Sequence, residues 1–191
     1  GIDHKIELLI HTPANYVIGG WGDTKAVVDW YKSIDLVVGF ALEIHETHEL
    51  DDIVLPMPTY IEANAFYGSH VDTGTGDAVA GDHVGFHHIQ QAALKAPEGV
   101  RSPIEVIMEI YRRAGILDDV YLVVNRAMGL KPPYLLEPGK RYSEAEVFDR
   151  HAKSLYGEDK GWDWFKENGV IVHERDVEER YPGRFIKARI P

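Results

Sequence analysis

Short solid apolar runs and helical apolar stripes take turns along the first part of the chain. Residues 6–11 (IELLIH) form an apolar run of the kind that fills a buried strand. A polar loop, Thr12-Pro13-Ala14-Asn15, and a glycine-rich turn, Gly19-Gly20-Trp21-Gly22, follow it. Asp23 is placed to cap a helix over residues 24–33, where Val27, Trp30, Tyr31 and Ile34 recur at helical spacing. Residues 36–42 (LVVGFAL) are a second solid run. Residues 53–55 are a third, closed by Pro56 and Pro58. Strand, helix and strand in so short a stretch predict a right-handed crossover in a parallel sheet.

Residues 68–85 interrupt this pattern with a glycine- and aspartate-rich loop, of a length usually tied to function or mobility. Residues 84–94 read as a strand running into a loop with Pro97 and Gly99. Ser102, Pro103 and Glu105 make a helix start with a capping box. That helix is expected to run to Ala114, to stop at Gly115, and to bury Ile104, Ile107, Met108 and Tyr111. The last third is helical and charged. One helix covers residues 118–128, and Ser143 with Glu146 opens another through a second capping box. A short aromatic helix over residues 161–168 ends at Asn168-Gly169, and residues 181–191 read as extended. No internal repeat or low-complexity tract interrupts the chain. The predicted class is α/β: a three-layer αβα arrangement around a short parallel sheet over residues 1–116, with a helical C-terminal extension over residues 117–191.

Composition narrows the chemistry. The chain has 191 residues, enough for one domain with an appendage, and a net charge of −11. An acidic surface argues against nucleic acid as a partner, because phosphate contacts need basic groups. No apolar run approaches the ~20 residues of a membrane helix, so membrane insertion is not expected. The start, Gly1-Ile2-Asp3-His4-Lys5, does not read as a signal peptide, and the compartment of the parent, cytoplasmic or periplasmic, stays open. There is no cysteine, which excludes a disulfide, a cysteine-held iron–sulfur cluster and a thiolate nucleophile within this chain.

One segment carries a resemblance. Residues 45–56 read His-Glu-Thr-His-Glu-Leu-Asp-Asp-Ile-Val-Leu-Pro, followed by Thr59-Tyr60-Ile61-Glu62. This resembles a signature of the molybdopterin oxidoreductase superfamily (the DMSO reductase and formate dehydrogenase type), roughly E-T-A-x-x-A-D-I-V-L-P and then a loop ending in L-E. Upstream, Leu9-Ile10-His11-Thr12-Pro13-Ala14-Asn15 resembles the family's strand and G-x-N-P loop. Downstream, residues 96–102 and 107–110 resemble its E-P-x-G-E-A-R segment and next helix. Order and spacing agree over residues 5–116. Four positions depart from the pattern: Ala41 stands where an acidic residue often ends the second strand, Pro13 where glycine is common, and His48 and Asp51 where the signature has alanine. Such departures resemble an acetylene-hydratase-like or transhydroxylase-like branch.

The resemblance implies a fragment of an oxidoreductase that carries molybdenum or tungsten on molybdopterin guanine dinucleotide. This chain would cradle one guanine-dinucleotide arm, would hold no cofactor by itself, and would be inactive alone. Its implied partners are the remaining domains of the parent enzyme, including a C-terminal domain beyond residue 191, and an iron–sulfur electron-transfer subunit. The implied cofactor-binding residues are Thr12, Asn15, Glu46, Thr47 and Asp52, with no catalytic residue and no metal ligand. Sheet geometry is compatible with this, since ligands of parallel sheets sit outside the carboxyl ends of the strands. The loops bearing Asn15 and Glu46-Thr47 both follow strands. The amides of Gly19, Gly20 and Gly22 precede a helix start, where a pyrophosphate is expected. Asp52 instead adjoins an apolar run, where it is expected to bond the backbone of the loop it closes.

Other readings remain beside this one. A stand-alone guanine-nucleotide module would have the same α/β plan without the metal. A metal-dependent hydrolase would use the ten histidines and the Asp72, Asp77 and Asp82 loop. His45-Glu46-Thr47-His48 lacks the four-residue step of the zinc-protease helix, and His87-His88 are adjacent, so exposed or hydrogen-bonded histidines are the plainer reading. Gly74-Thr75-Gly76 lacks the lysine of a phosphate loop, and the three aspartates lack calcium-loop spacing. Trp162, Trp164 and Phe165 read as packing, and the acidic run 174–179 as a solvated face.

Overall fold

A computed structural model describes residues 5–68, 84–174 and 176. The aspartate loop and the extended tail expected from sequence, and most of the acidic run, lie outside the described residues. The fold is mixed α/β, with a three-stranded parallel sheet, a three-stranded antiparallel sheet and several helices. The chain divides into two compact units. The first comprises residues 1–63 and 92–107, the second residues 64–91 and 108–191.

In the first unit, β1 (Leu8–His11), β2 (Leu36–Ala41) and β3 (Ile53–Pro56) lie in the order β1-β2-β3, all parallel, with α1 (Thr24–Tyr31) crossing from β1 to β2. The central strand is buried from Val37 to Ala41, as the solid run LVVGFA requires of a strand covered on both faces. Val27 and Tyr31 of α1 pack with Ile34, Val37 and Val17 into this unit's core. Asp23 caps α1 by accepting from the Ala26 amide at 3.0 Å. A π-helical turn, Tyr16–Gly20, occupies the glycine-rich stretch. Farther on, the amides of Ala93 and Leu94 both donate to the Ile61 carbonyl, which ties residues 92–107 to the loop after β3.

The second unit is built on β4 (Ala65–Gly68), β5 (Val84–Gln90) and, from the end of the chain, β6 (Val170–Glu174), in the antiparallel order β4-β5-β6. This sheet is absent from the sequence reading, apart from β5. Between β5 and β6 the chain forms α2 (Pro103–Arg113), α3 (Leu117–Ala127), α4 (Glu144–Tyr156) and α5 (Trp162–Asn168). The division between units falls inside α2. No residue of α2 is buried and Ile104 is exposed, so the expected buried stripe is instead half open. The capping box at Ser143 forms with both of its reciprocal bonds. Tyr121, Leu130, Leu136, Tyr142 and Val147 make the core between α3 and α4. Phe66 of β4 meets His87, His151 and the fully buried Phe165 at ring distances of 5.1–5.5 Å. The opposite face of the sheet leaves Tyr67, Phe86, Val170 and Val172 exposed.

Candidate functional site at the carboxyl rim of the parallel sheet

Two loops leave the carboxyl ends of β1 and β2, and polar side chains join them. Asn15 is the hub. Its Nδ2 donates to Glu46 Oε2 at 2.7 Å, and its Oδ1 accepts from Thr47 Oγ1 at 3.1 Å and from the Ile18 amide at 3.4 Å. Thr47 is completely buried, and its hydroxyl also accepts from the Val17 amide at 3.1 Å. Each loop thereby supplies the polar partners that the other needs. Glu46 is exposed. A hydrogen bond donated by its own backbone amide and then the Asn15 side-chain amide hold its carboxyl below the usual carboxylate range. Thr12 is exposed, and its carbonyl accepts from the Ala14 amide at 2.7 Å.

Asn15, Glu46 and Thr47 are thus brought together, with Thr12 on the same loop as Asn15. Asp52 is not among them. It lies just before β3, at the amino end of the strands, where its Oδ2 accepts from the Val37 amide at 2.8 Å and its own amide donates to the Val37 carbonyl at 2.9 Å. It holds the register of β3 on β2 by bonding the strand, where a bond to its own loop had been expected. The pyrophosphate expected over Gly19, Gly20 and Gly22 also meets a different arrangement. The Gly19 amide already donates to the Asn15 carbonyl at 2.8 Å, and the Asp23 carboxylate occupies the start of α1. An anion there would face a negative charge.

Beside this rim lies a group that sequence reasoning did not assemble. His11 ends β1, His48 follows Thr47, and Asp51 precedes Asp52. His11 Nε2 lies 2.8 Å from Asp51 Oδ1, with side-chain exposures of 4% and 0%. The His48 ring is buried and stacks on His11 at 5.6 Å, and His45 stacks on His48 at 3.8 Å. Burial, and then His45, lower the pKa of His48. Asp51 opposes this in part, and so does the Phe40 backbone, which stops short of hydrogen-bond geometry. Tyr31, edge-on to His11, is pushed up to about 12 by burial and then by the Asp51 charge. The available sequence signal was Gly39, a glycine inside a buried strand, which often marks a close approach. A Cβ there would collide with Asp51 Oδ2 and lie 2.9 Å from His11 Nε2.

No known family profile matches the sequence, and no curated protein matches it. Among solved structures, the chain is similar in fold to acetylene hydratase from Pelobacter acetylenicus, with a TM-score of 0.59 at 13% sequence identity. The match covers 86% of this chain and 18% of the length of that protein. At that identity the likeness is one of fold.

Proposed function

We propose that this chain is part of a molybdopterin-type enzyme, and that its carboxyl rim holds one guanine-dinucleotide arm of a molybdenum or tungsten cofactor. The observation that carries the reading is the joined pair of loops at the carboxyl ends of β1 and β2. It presents an ionised, exposed carboxylate at the place where parallel sheets bind ligands. The signature around Glu46 to Pro56 and the fold likeness to a segment of acetylene hydratase support it.

The donor set fits a guanine edge. Guanine offers two adjacent N–H donors, and the Glu46 carboxylate offers acceptors only. Asn15 orients Glu46, while buried Thr47 orients Asn15. The exposed Thr12 hydroxyl is placed to meet a ribose or phosphate oxygen. When bound, the cofactor supplies the oxygen-atom or electron exchange, and these residues only bind and orient it. Leu42, Ile44, Ile18 and Trp21 are each more than half exposed on segments that follow β1 and β2. Side chains of this kind are covered by neighbouring domains in a larger enzyme, which are the partners this reading assigns, together with an electron-transfer subunit.

Titration of the isotope-labelled chain with GDP, followed by amide NMR, tests this. Shifts confined to residues 12–15 and 43–47 are expected, with a Kd on the order of 1 mM because one wall of a site binds weakly. Glu46→Ala should abolish them. Shifts elsewhere, or none at the rim at saturating GDP, would overturn the reading. Submicromolar GDP binding would instead identify a self-sufficient nucleotide module.

A further inference from the structure

The His11, His48 and Asp51 group poses a problem of proton and lone-pair accounting. His11 Nε2 faces Asp51 Oδ1 at 2.8 Å, and His11 Nδ1 faces the Thr12 carbonyl oxygen at 3.1 Å. Both partners are acceptors, yet a neutral imidazole has one N–H to give. The remaining polar atoms make no hydrogen bond of good geometry. Asp51 Oδ2 and both ring nitrogens of His48 are buried without a hydrogen bond. A buried polar atom left without a hydrogen bond is costly, more so when charged, so three in one place call for an occupant. One ligand atom from each of the three residues lies within 4.8 Å of the others.

We propose that His11, His48 and Asp51 form a binding site for a divalent transition-metal ion of the zinc class. Two imidazoles and a carboxylate suit zinc, cobalt or nickel, whereas magnesium and calcium take oxygen ligands. The His11 Nδ1–H donates to the Thr12 carbonyl, which leaves Nε2 as the ligating atom. This is the usual outer-shell arrangement of a metal-bound histidine. Tetrahedral zinc holds its ligand atoms ~3.3 Å apart. The three ligand atoms, within 4.8 Å of one another, would adjust to that spacing on binding. Gly39 supports the site by lacking a side chain where the Asp51 carboxylate lies. The His45 ring, stacked on His48, closes over it, and the fourth position is left for a water. A bound ion would clamp the end of β1, the turn at His48–Leu50 and the entry to β3.

A buried His11–Asp51 ion pair is the competing account. It satisfies the proton count at His11 but leaves His48 and Asp51 Oδ2 without partners. Calorimetric titration of the chelator-treated full chain with Zn2+ separates the two. One ion per chain is expected, with a Kd of about 1 µM or tighter. Co2+ should give the strong visible absorption of a tetrahedral site. Asp51→Asn and His48→Ala should each weaken binding on the order of 100-fold, and His173→Ala, on β6, should leave it unchanged. Absence of binding, or binding indifferent to Asp51→Asn and His48→Ala, would overturn the proposal in favour of the ion pair. If His48→Ala does not fold, X-ray absorption of the zinc-loaded wild type decides: two imidazoles and one carboxylate support the site, and any other donor set sinks it. The titration is made without nucleotide, so its outcome is independent of the GDP experiment.

Discussion

The two units use polar side chains around their loops differently. In the second unit half-buried Asn125 and buried Ser154 serve the backbone. Asn125 accepts from the Leu136 amide and donates to its carbonyl at 2.8 and 2.9 Å, and Ser154 accepts from the Lys131 amide at 2.7 Å. Each replaces a strand or helix partner that a loop lacks. In the first unit Thr47 works in this way, but His48 and Asp51 do not. Polar atoms that satisfy the main chain are explained by folding alone. Several buried together without a hydrogen bond, on residues whose ligand atoms lie close to one another, point to a ligand.

His151, in the second unit, does not serve the backbone through its Nε2, and it gives the largest expected effect. It is buried, its Nε2 has no hydrogen-bond partner, and burial lowers its pKa to about 4. Above pH ~6.5 both folded and unfolded chains carry it neutral, and it has no effect on the pH dependence. Between ~6.5 and about 4 the unfolded chain takes up a proton that the folded chain refuses, so stability falls as pH falls. The loss attributable to this residue is about 3 kcal/mol by pH 4. Urea denaturation of wild type and His151→Phe across that range checks it. Parallel pH profiles would show that burial does not hold this histidine neutral.

A pair of glycines sharpens the contrast. A Cβ on Gly39 meets the Asp51 carboxylate, which has no exposed surface and is held by His11. A Cβ on Gly161 meets Asp149 and Lys153, whose side chains are partly exposed and can swing aside. Gly39→Ala should therefore destabilise by about 2 kcal/mol, and Gly161→Ala by less than about 1. Equal melting shifts would mean that the Asp51 site is not rigid. The smallest difference concerns helix starts. Ser143→Ala removes a reciprocal capping box and should cost about 1 kcal/mol, somewhat more than Asp23→Ala, which removes a single side-chain cap. The reverse order in denaturant midpoints would show that the capping box adds nothing here.

What could be read from sequence follows the range of the interactions involved. The runs at β1, β2 and β3, the helix capped by Asp23 and the box at Ser143 are local patterns, and all appear where local periodicity places them. The carboxyl rim was also legible, because topology alone puts the loops after β1 and β2 at one edge. The antiparallel sheet was not. β4 and β6 are short, and β6 pairs with a strand some eighty residues earlier, a contact with no local signature.

The sequence by itself determined the α/β class, the parallel crossover and the placing of Asn15, Glu46 and Thr47 on neighbouring loops, since hydrophobic period and connection length act within a few tens of residues. Only the tertiary structure decided that residues 64–91 join the second unit, that Asp52 holds strand register away from the rim, and that His11 meets Asp51 forty positions later over the bare backbone of Gly39. His48 and Asp51 are two of the positions where the chain departs from the signature it resembles. A departure shows its chemistry only when folding supplies the neighbour, because burial and ligand geometry belong to the assembled sheet.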